Sequence, residues 1–490
     1  MGASSMNKLA AAPAAARQIP QRSTTDARPR TFLRRAALRW ALLGAFLTSS
    51  AALSALPPAP SEALDANYWV TLWPGAEDVR LDREAVAKRN ARMLAEDPAL
   101  HPLVALPEAL PAAEVRTEIE AVSRRPEATR FDAKGQAIDA ARWAEWQAVL
   151  ALEGIDARVP LRFALVVRRA DLRSFPTFEP VYAAPGNTDL DRFQESALFP
   201  ATPVAVLHTS RDGEWHFVIA ETYAAWVRAD ALAVGPRQTV LDYAARATRV
   251  ITEATVRLAA TPEAPALSGL VLDMGVALPE RRDWPLSESV NGQSAQSAHV
   301  VELPTRAEDG QLALRPALLP RHEASQDGPL PASRANALRQ AFKFLGERYG
   351  WGHANGARDC SGFVSEIYRS LGLVLPRNTG DQANSPVLAR EPLEGLNRDA
   401  RLAAVSRLAP GDLLYLPGHV VMVVGHNASG PWVIHDVHRL RTREADGALR
   451  EWPANGVVLT PLLTLQFDEA RDYLDAASML VRVLPQDPAK

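Results

Sequence analysis

The stretch Tyr349-Gly350-Trp351-Gly352-His353-Ala354-Asn355-Gly356-Ala357-Arg358-Asp359-Cys360-Ser361-Gly362-Phe363 decides the reading. A glycine-rich loop runs into a segment where Phe363, Val364, Ile367, Tyr368 and Leu371 recur at helical spacing. The spacing predicts a helix over 360–371, with Asp359 as N-cap and Cys360 as first residue. Cys360 is the single cysteine of the 490-residue chain, so no intrachain disulfide and no cysteine-based zinc site can form. Such a cysteine is either inert packing or a nucleophile. Free amides and the dipole at a helix start lower a thiol's pKa and leave N–H groups for an oxyanion, which favours the nucleophile. Asp359 opposes this if its charge faces the sulfur, whereas a cap bonded to backbone amides faces away. Tyr349 and Trp351 either pack the loop or wall a substrate cleft.

A thiol nucleophile needs a base, and four of the ten histidines fall at 419, 426, 435 and 438. His419 opens the apolar run Val420-Val421-Met422-Val423-Val424 after the turn Pro417-Gly418. His426 is an odd number of residues further on, so a continuous strand turns it to the other side. His435 ends a run Trp432-Val433-Ile434. We assign His419 as base and His435 as the group that orients its other ring nitrogen, with His438 as the alternative third residue. Asp436 adjoins His435 but points away from the face His435 uses. Residues 435–438 also resemble half a metal site, but nothing completes it, so no metal and no cofactor are expected.

Outward from this centre, 335–348 reads as a helix and 412–416, 419–424 and 431–435 as strands, an α+β pattern. Upstream, short β-rich runs at 162–167, 203–208, 215–220 and 225–227, with the turn Ser210-Arg211-Asp212-Gly213, predict a small barrel over 159–236. The texture repeats over 247–320, predicting a second, degenerate barrel, with a polar loop at 287–297. Residues 66–155 read as mostly helical, with helices at 83–94, 112–123 and 137–152. The catalytic-type segment is expected over 333–485.

Residues 30–39 are basic and 40–56 uncharged, a signal-like leader within 1–55. The apolar run is about 17 residues, short of the ~20 a spanning helix needs. Arg34-Arg35 resembles a twin-arginine signal. An uncleaved anchor is the alternative. We expect export to the periplasm or cell envelope, with no stable membrane insertion after signal removal. The net charge is −3; residues 1–55 hold eight Lys and Arg against one Asp, which leaves −10 for the remainder. Nothing here supports nucleic-acid binding, and attachment to an anionic envelope requires a specific groove. Hydrophobic residues at 47% and charged residues at 23% exclude global disorder. A monomer is expected.

Tyr349-Gly350-Trp351-Gly352, Asp359-Cys360-Ser361-Gly362-Phe363, Gly411-Asp412-Leu413, Gly418-His419-Val420 and Ile434-His435 occur in an order that resembles the NlpC-type bacterial cell-wall cysteine peptidases, which have a papain-like fold. The upstream part resembles the helical stabilising segment and paired bacterial SH3-like domains of one multidomain branch. The resemblance implies hydrolysis of the γ-D-glutamyl–diamino-acid bond of peptidoglycan stem peptides. It implies Cys360 as nucleophile, His419 as base, His435 as third polar residue and Tyr349 as an oxyanion partner. Asp359 and Ser361 would line the substrate side, and Tyr223 and Trp226 would close the cleft.

Two departures bear on specificity. His353 stands where the family loop has a second glycine, and is expected to narrow or polarise the cleft mouth. Pro376-Arg377-Asn378-Thr379 stands where the branch has Pro-Arg-Asp-Ser, so the carboxylate thought to hold a free peptide amine is missing; either Asp381 substitutes for it, or a free L-Ala terminus is not required and sugar-linked stems become substrates. An amidase or acyltransferase on the same dyad, or a wall-binding protein with an inactive catalytic domain, are the competing readings.

Overall fold

The computed structural model describes residues 59–285, 287–444 and 446–486. The signal-like leader lies outside the described residues. Among the described residues no helix is long and apolar enough to cross a membrane.

The N-terminal part holds helices α1 (Ala66–Leu72), α2 (Arg83–Glu96), α3 (Ala112–Val122) and α4 (Ala140–Val149). Asp65, Asp82 and Asp139 cap α1, α2 and α4 by accepting a backbone amide in the first turn, which fixes where each helix begins. α1 belongs to the core of the C-terminal part: Trp69 is fully buried and its ring lies 5.8 Å from that of Trp432. Trp143 and Trp146 of α4 pack into the neighbouring core with Phe175 and Phe193.

Next come seven antiparallel strands, β1 (Arg162–Val166), β2 (Ala170–Arg173), β3 (Gln194–Leu198), β4 (Pro203–Thr209), β5 (Trp215–Ile219), β6 (Ala224–Arg228) and β7 (Leu232–Gly235). They form one sheet in the order β3-β2-β6-β5-β4-β1-β7. Register shifts at Leu172/Arg173 and Val206/His208 re-aim β2 and β4. Over 249–327 the strands fall into several sheets of two or three strands instead of one. The longest pairing is the hairpin β8 (Ala298–Arg306) with β9 (Leu312–Pro320). The segment 287–297, expected as a loop, contains a small hairpin turning at Asn291-Gly292, where both residues take positive φ.

The C-terminal part begins with α5 (Arg334–Phe342), capped by Ser333. It ends six residues earlier than the periodicity predicts. The reason is tertiary: the Gly346 amide donates to the Val457 carbonyl and the Val457 amide to Glu347, so the sheet captures this backbone. α6 (Cys360–Ser370) follows. Six antiparallel strands, β10 (Ala389–Pro392), β11 (Leu413–Leu416), β12 (His419–Asn427), β13 (Gly430–Val437), β14 (Gly456–Pro461) and β15 (Met479–Arg482), pair in the order β10-β15-β11-β12-β13-β14. α6 packs Phe363, Val364 and Ile367 on the face carrying Val420, Met422 and Ile434. The other face carries Val421, Val423 and Val433 against Leu408 and Leu462. A sheet covered on both sides explains the unbroken apolar run 420–424.

Candidate active site

Asp359 caps α6: its Oδ1 accepts the Gly362 amide at 2.8 Å, and its carbonyl accepts the Phe363 amide. The Cys360 and Ser361 amides precede the first intrahelical bond and face the loop end of the helix. The sulfur of Cys360 receives a hydrogen bond from the backbone of Val420, the residue after His419. The helix start is thus seated against the first residues of β12.

His419 and His435 sit on neighbouring strands. His419 Nε2 lies 2.9 Å from His435 Nδ1, and His435 Nε2 lies 3.0 Å from Thr460 Oγ1 on β14. A neutral imidazole carries one N–H, so a consistent proton assignment runs His419 Nε2–H to His435 Nδ1, then His435 Nε2–H to Thr460. That leaves His419 Nδ1 as an unprotonated acceptor. Tyr473 packs edge-on against both rings, at 6.1 and 6.2 Å. Neither Thr460 nor Tyr473 stood out in the sequence, because each acts only through a ring that folding brings to it.

The protonation states differ from the sequence expectation. Burial pushes the Cys360 thiol up to about 12, with the charge of Asp359 adding to it; the Val420 hydrogen bond only partly counters this. Burial pushes His419 down to about 4. At rest Cys360 is therefore a neutral thiol and His419 a neutral imidazole, with no preformed thiolate. Dipole and amides do not overcome desolvation and a neighbouring carboxylate.

A cavity of about 190 Å³ opens on the thiol, lined by Arg192, Gln194, Glu195, Tyr349, Trp351, Asp359, Cys360, Ser361, Arg377, Asn378, Thr379 and Gly418. Seven of the sequence candidates, Tyr349, Trp351, Asp359, Cys360, Ser361, Asn378 and Thr379, meet here. A second cavity of about 250 Å³ adjoins it through Tyr349 and Gly418 and is lined by His419. A larger cavity, about 630 Å³, lies elsewhere, between α2 and residues 326–332, and no cysteine, serine or histidine lines it. Trp351 donates its Nε1–H to the Gln194 carbonyl at 3.1 Å, with Arg192 stacked over its ring.

Trp226 does not close the cleft. It is fully buried in the core of the β3-to-β7 sheet, donates to Ser123 Oγ and packs on Phe217. An aromatic on a strand covered on both faces is core. Tyr223 acts indirectly: its hydroxyl donates to Glu195 Oε2 at 2.6 Å, and Glu195 lines the cavity. Glu195 went unnoticed in the sequence, since only packing brings β3 to the thiol. Asp381, expected to replace the missing carboxylate, accepts from Asn378 Nδ2 and is not among the cavity's lining residues.

His353 does not face the cleft mouth either. It is buried, with Nε2 3.1 Å from Glu366 and Nδ1 2.9 Å from an Arg377 nitrogen. It takes φ 63°, the region the family glycine would occupy freely. Its ring fills the space over Gly362, where a Cβ would come within 2.4 Å of His353 Cε1. Arg377 is the hub above it, donating to Asp359 Oδ2 at 2.8 Å, Ser361 Oγ at 2.9 Å and Ser196 Oγ of β3 at 2.7 Å. Burial works against ionisation of Asp359, but Arg377 and its other partners hold it at about 2. Arg358 sits below, bound to Glu366, Glu347 and Asp273. Arg169, from the β1–β2 turn, pairs with Asp273 and donates to the His353 and Ala357 carbonyls. At Gly352 a side chain would strike the Gln194 carbonyl at 2.9 Å, so glycine lets β3 lie against the nucleophile loop.

A helix-start cysteine on an antiparallel sheet that presents a histidine pair is the papain-like α+β arrangement. Residues 346–449 match the NlpC/P60 family and residues 176–228 match the SH3b1-type SH3 domain. Residues 346–449 thus carry an NlpC/P60-type domain and residues 176–228, ahead of it, an SH3b-type domain. No curated protein matches it significantly. Among solved structures it is similar to an NlpC/P60 endopeptidase from Photobacterium damselae subsp. piscicida, at 15% identity and TM-score 0.68, covering 85% of this chain and 96% of that one. An NlpC/P60 family protein from Bacillus cereus aligns at 18% identity and TM-score 0.44, covering 66% of this chain and 100% of that one.

Proposed function

We propose that the protein is a cysteine endopeptidase of peptidoglycan stem peptides, cleaving the γ-D-glutamyl–diamino-acid bond, with Cys360 as nucleophile, His419 as base and His435 as its orienter. The observation that carries this reading is the imidazole pair His419–His435, in which the assigned protons leave His419 Nδ1 as acceptor on β12, the strand whose Val420 backbone hydrogen-bonds the Cys360 sulfur. As the sulfur attacks the scissile carbonyl, His419 takes the thiol proton. The Cys360 and Ser361 amides, with the Tyr349 hydroxyl, receive the developing oxyanion. His419 then returns the proton to the departing amine, and water releases the acyl group from sulfur by the reverse sequence.

The thiol-side cavity supports the substrate class. Beyond the paired Asp359 and Arg377, it offers one carboxylate, Glu195, and one guanidinium, Arg192. An L-Ala-γ-D-Glu acyl group carries one ammonium and one α-carboxylate. Glu195 thereby replaces the carboxylate lost at Asn378, and a free L-Ala terminus is preferred over a sugar-linked stem. A wall substrate also requires export, which the leader at 30–56 fits. The test is product analysis with free and sugar-linked stem peptides: cleavage of both at equal rates would contradict the role of Glu195.

A further inference from the structure

The two adjoining cavities divide the work of the reaction. Cys360 lines one and His419 the other. The acyl group stays on the sulfur, so it occupies the cavity with Cys360. The departing amine takes its proton from His419, so the leaving group occupies the cavity of about 250 Å³ lined by Tyr349, His419, His438, Arg439, Arg441, Gln466 and Tyr473.

That second cavity is basic. Arg441 and Arg443 share one face of the short strand Leu440–Arg443, which Arg439 immediately precedes, and Arg441 stands directly opposite Glu451 on the partner strand Leu449–Trp452. Glu451 accepts from both arginines: Arg439 Nη1 at 2.6 Å and Arg441 Nε at 3.0 Å. Arg441 Nη1 also donates to the Phe467 carbonyl at 3.0 Å, which fixes its plane. His438 is held by Asp189 at 3.1 Å, and Arg348 approaches the same carboxylate at 3.7 Å. Two guanidinium groups sharing one carboxylate leave a net positive charge at the wall. Both side chains keep access to solvent, 53% for Arg439 and 40% for Arg441. A guanidinium with unused donors is suited to a planar carboxylate.

We propose that Arg439 and Arg441, held by Glu451, form the leaving-group subsite and bind a free carboxylate of the departing diamino-acid peptide. The assignment rests on the endopeptidase reading above, because that reading decides which side departs. Two carboxylates meet the requirement: the side-chain carboxylate of diaminopimelate and its backbone carboxylate. Both carry the same chemistry.

The experiment compares three peptides with the full chain: L-Ala-γ-D-Glu-diaminopimelate, its side-chain amide and its backbone amide. One of the two amides is expected to lower kcat/KM by about tenfold, and which one does so names the carboxylate. In Arg439→Gln and in Arg441→Gln the ratio of acid to amide falls toward one. In Glu451→Gln, which removes the competing carboxylate, the ratio rises. Each ratio is taken within one preparation, so a poorly folding variant lowers both rates and leaves the ratio readable. Equal rates on all three peptides, or a ratio unchanged in both arginine variants, would overturn the subsite while the endopeptidase reading stands. No cleavage of any of the three would overturn that reading and the subsite with it.

Discussion

In the proposed mechanism His419 acts as base through one ring nitrogen, and burial governs when that nitrogen is unprotonated. Its pKa is held near 4, so the base stays unprotonated well below the usual histidine range. The acid limb of kcat/KM is therefore expected below pH 5. A limb centred near 6.5 would show that His419 titrates as an ordinary exposed imidazole. Asp436 is the second residue with a measurable consequence. Its carboxyl is fully buried and neither oxygen has a hydrogen-bond partner among the described residues. Burial, with the charges of Asp359 and Glu347, pushes it up to about 9. The folded protein thus holds this proton more tightly than the unfolded chain, so its contribution to stability is full below about pH 4 and is lost as pH rises through 9. Asp436→Asn is expected to raise stability at pH 8 by about 1–3 kcal/mol and to flatten the decline between pH 5 and 9, measured by urea unfolding. At this scale the helix start at Cys360 and the strand positions of His419 and His435 were legible, because helix start, strand start and alternation are local patterns. Glu195 was not: its strand meets the nucleophile loop through contacts such as Gln194 to Gly352, 158 residues apart. The thiol's protonation was misread because a helix-start argument omits burial.

The elements that matter most are the loop Trp351–Gly356 and α6. The loop turns at Gly352, His353 and Asn355, all with positive φ, and lays His353 over Gly362. Gly362→Ala would drive a methyl group into the His353 ring and strain its bond to Glu366. An expected loss of about 1–3 kcal/mol, read as a lower urea midpoint, checks this; an unchanged midpoint would mean that the ring has room to move. The strands at 203–209, 215–219 and 224–228 were readable because short apolar runs alternate with a strong turn at Asp212-Gly213. The end of α5 was not, since Leu345 continues the helical spacing while the backbone beyond Phe342 is bound by the sheet. Trp226 was misplaced for a related reason: a strand pattern does not say which of two covered faces a ring enters.

Across the whole molecule, a buried charge network joins three regions that the sequence separates. Asp273 receives Arg169 from the SH3b-type part and Arg358 from the nucleophile loop, and Arg358 continues to Glu366 beneath His353. Breaking such a pair strands a charge in a medium that solvates it poorly. Asp273→Ala is expected to cost about 3–5 kcal/mol and to lower activity together with stability, because the loop carrying Trp351 and His353 loses its support. Loss of stability with full retained kcat/KM would show that the network serves packing alone. The helical start of the chain follows the same logic, since Trp69 lies in the core of the papain-like part. Order along the chain predicted separate modules, whereas the fold uses the upstream modules as walls and struts for one site.

In the proposed function this assembly serves a thiol that cuts one bond. The most direct test is mass analysis of L-Ala-γ-D-Glu-diaminopimelate after incubation with the full chain and with Cys360→Ala. The native protein is expected to release L-Ala-D-Glu and free diaminopimelate, and the variant to release them at least ~10⁴-fold more slowly. Equal release from Cys360→Ala, or an intact tripeptide with the native protein, would contradict it.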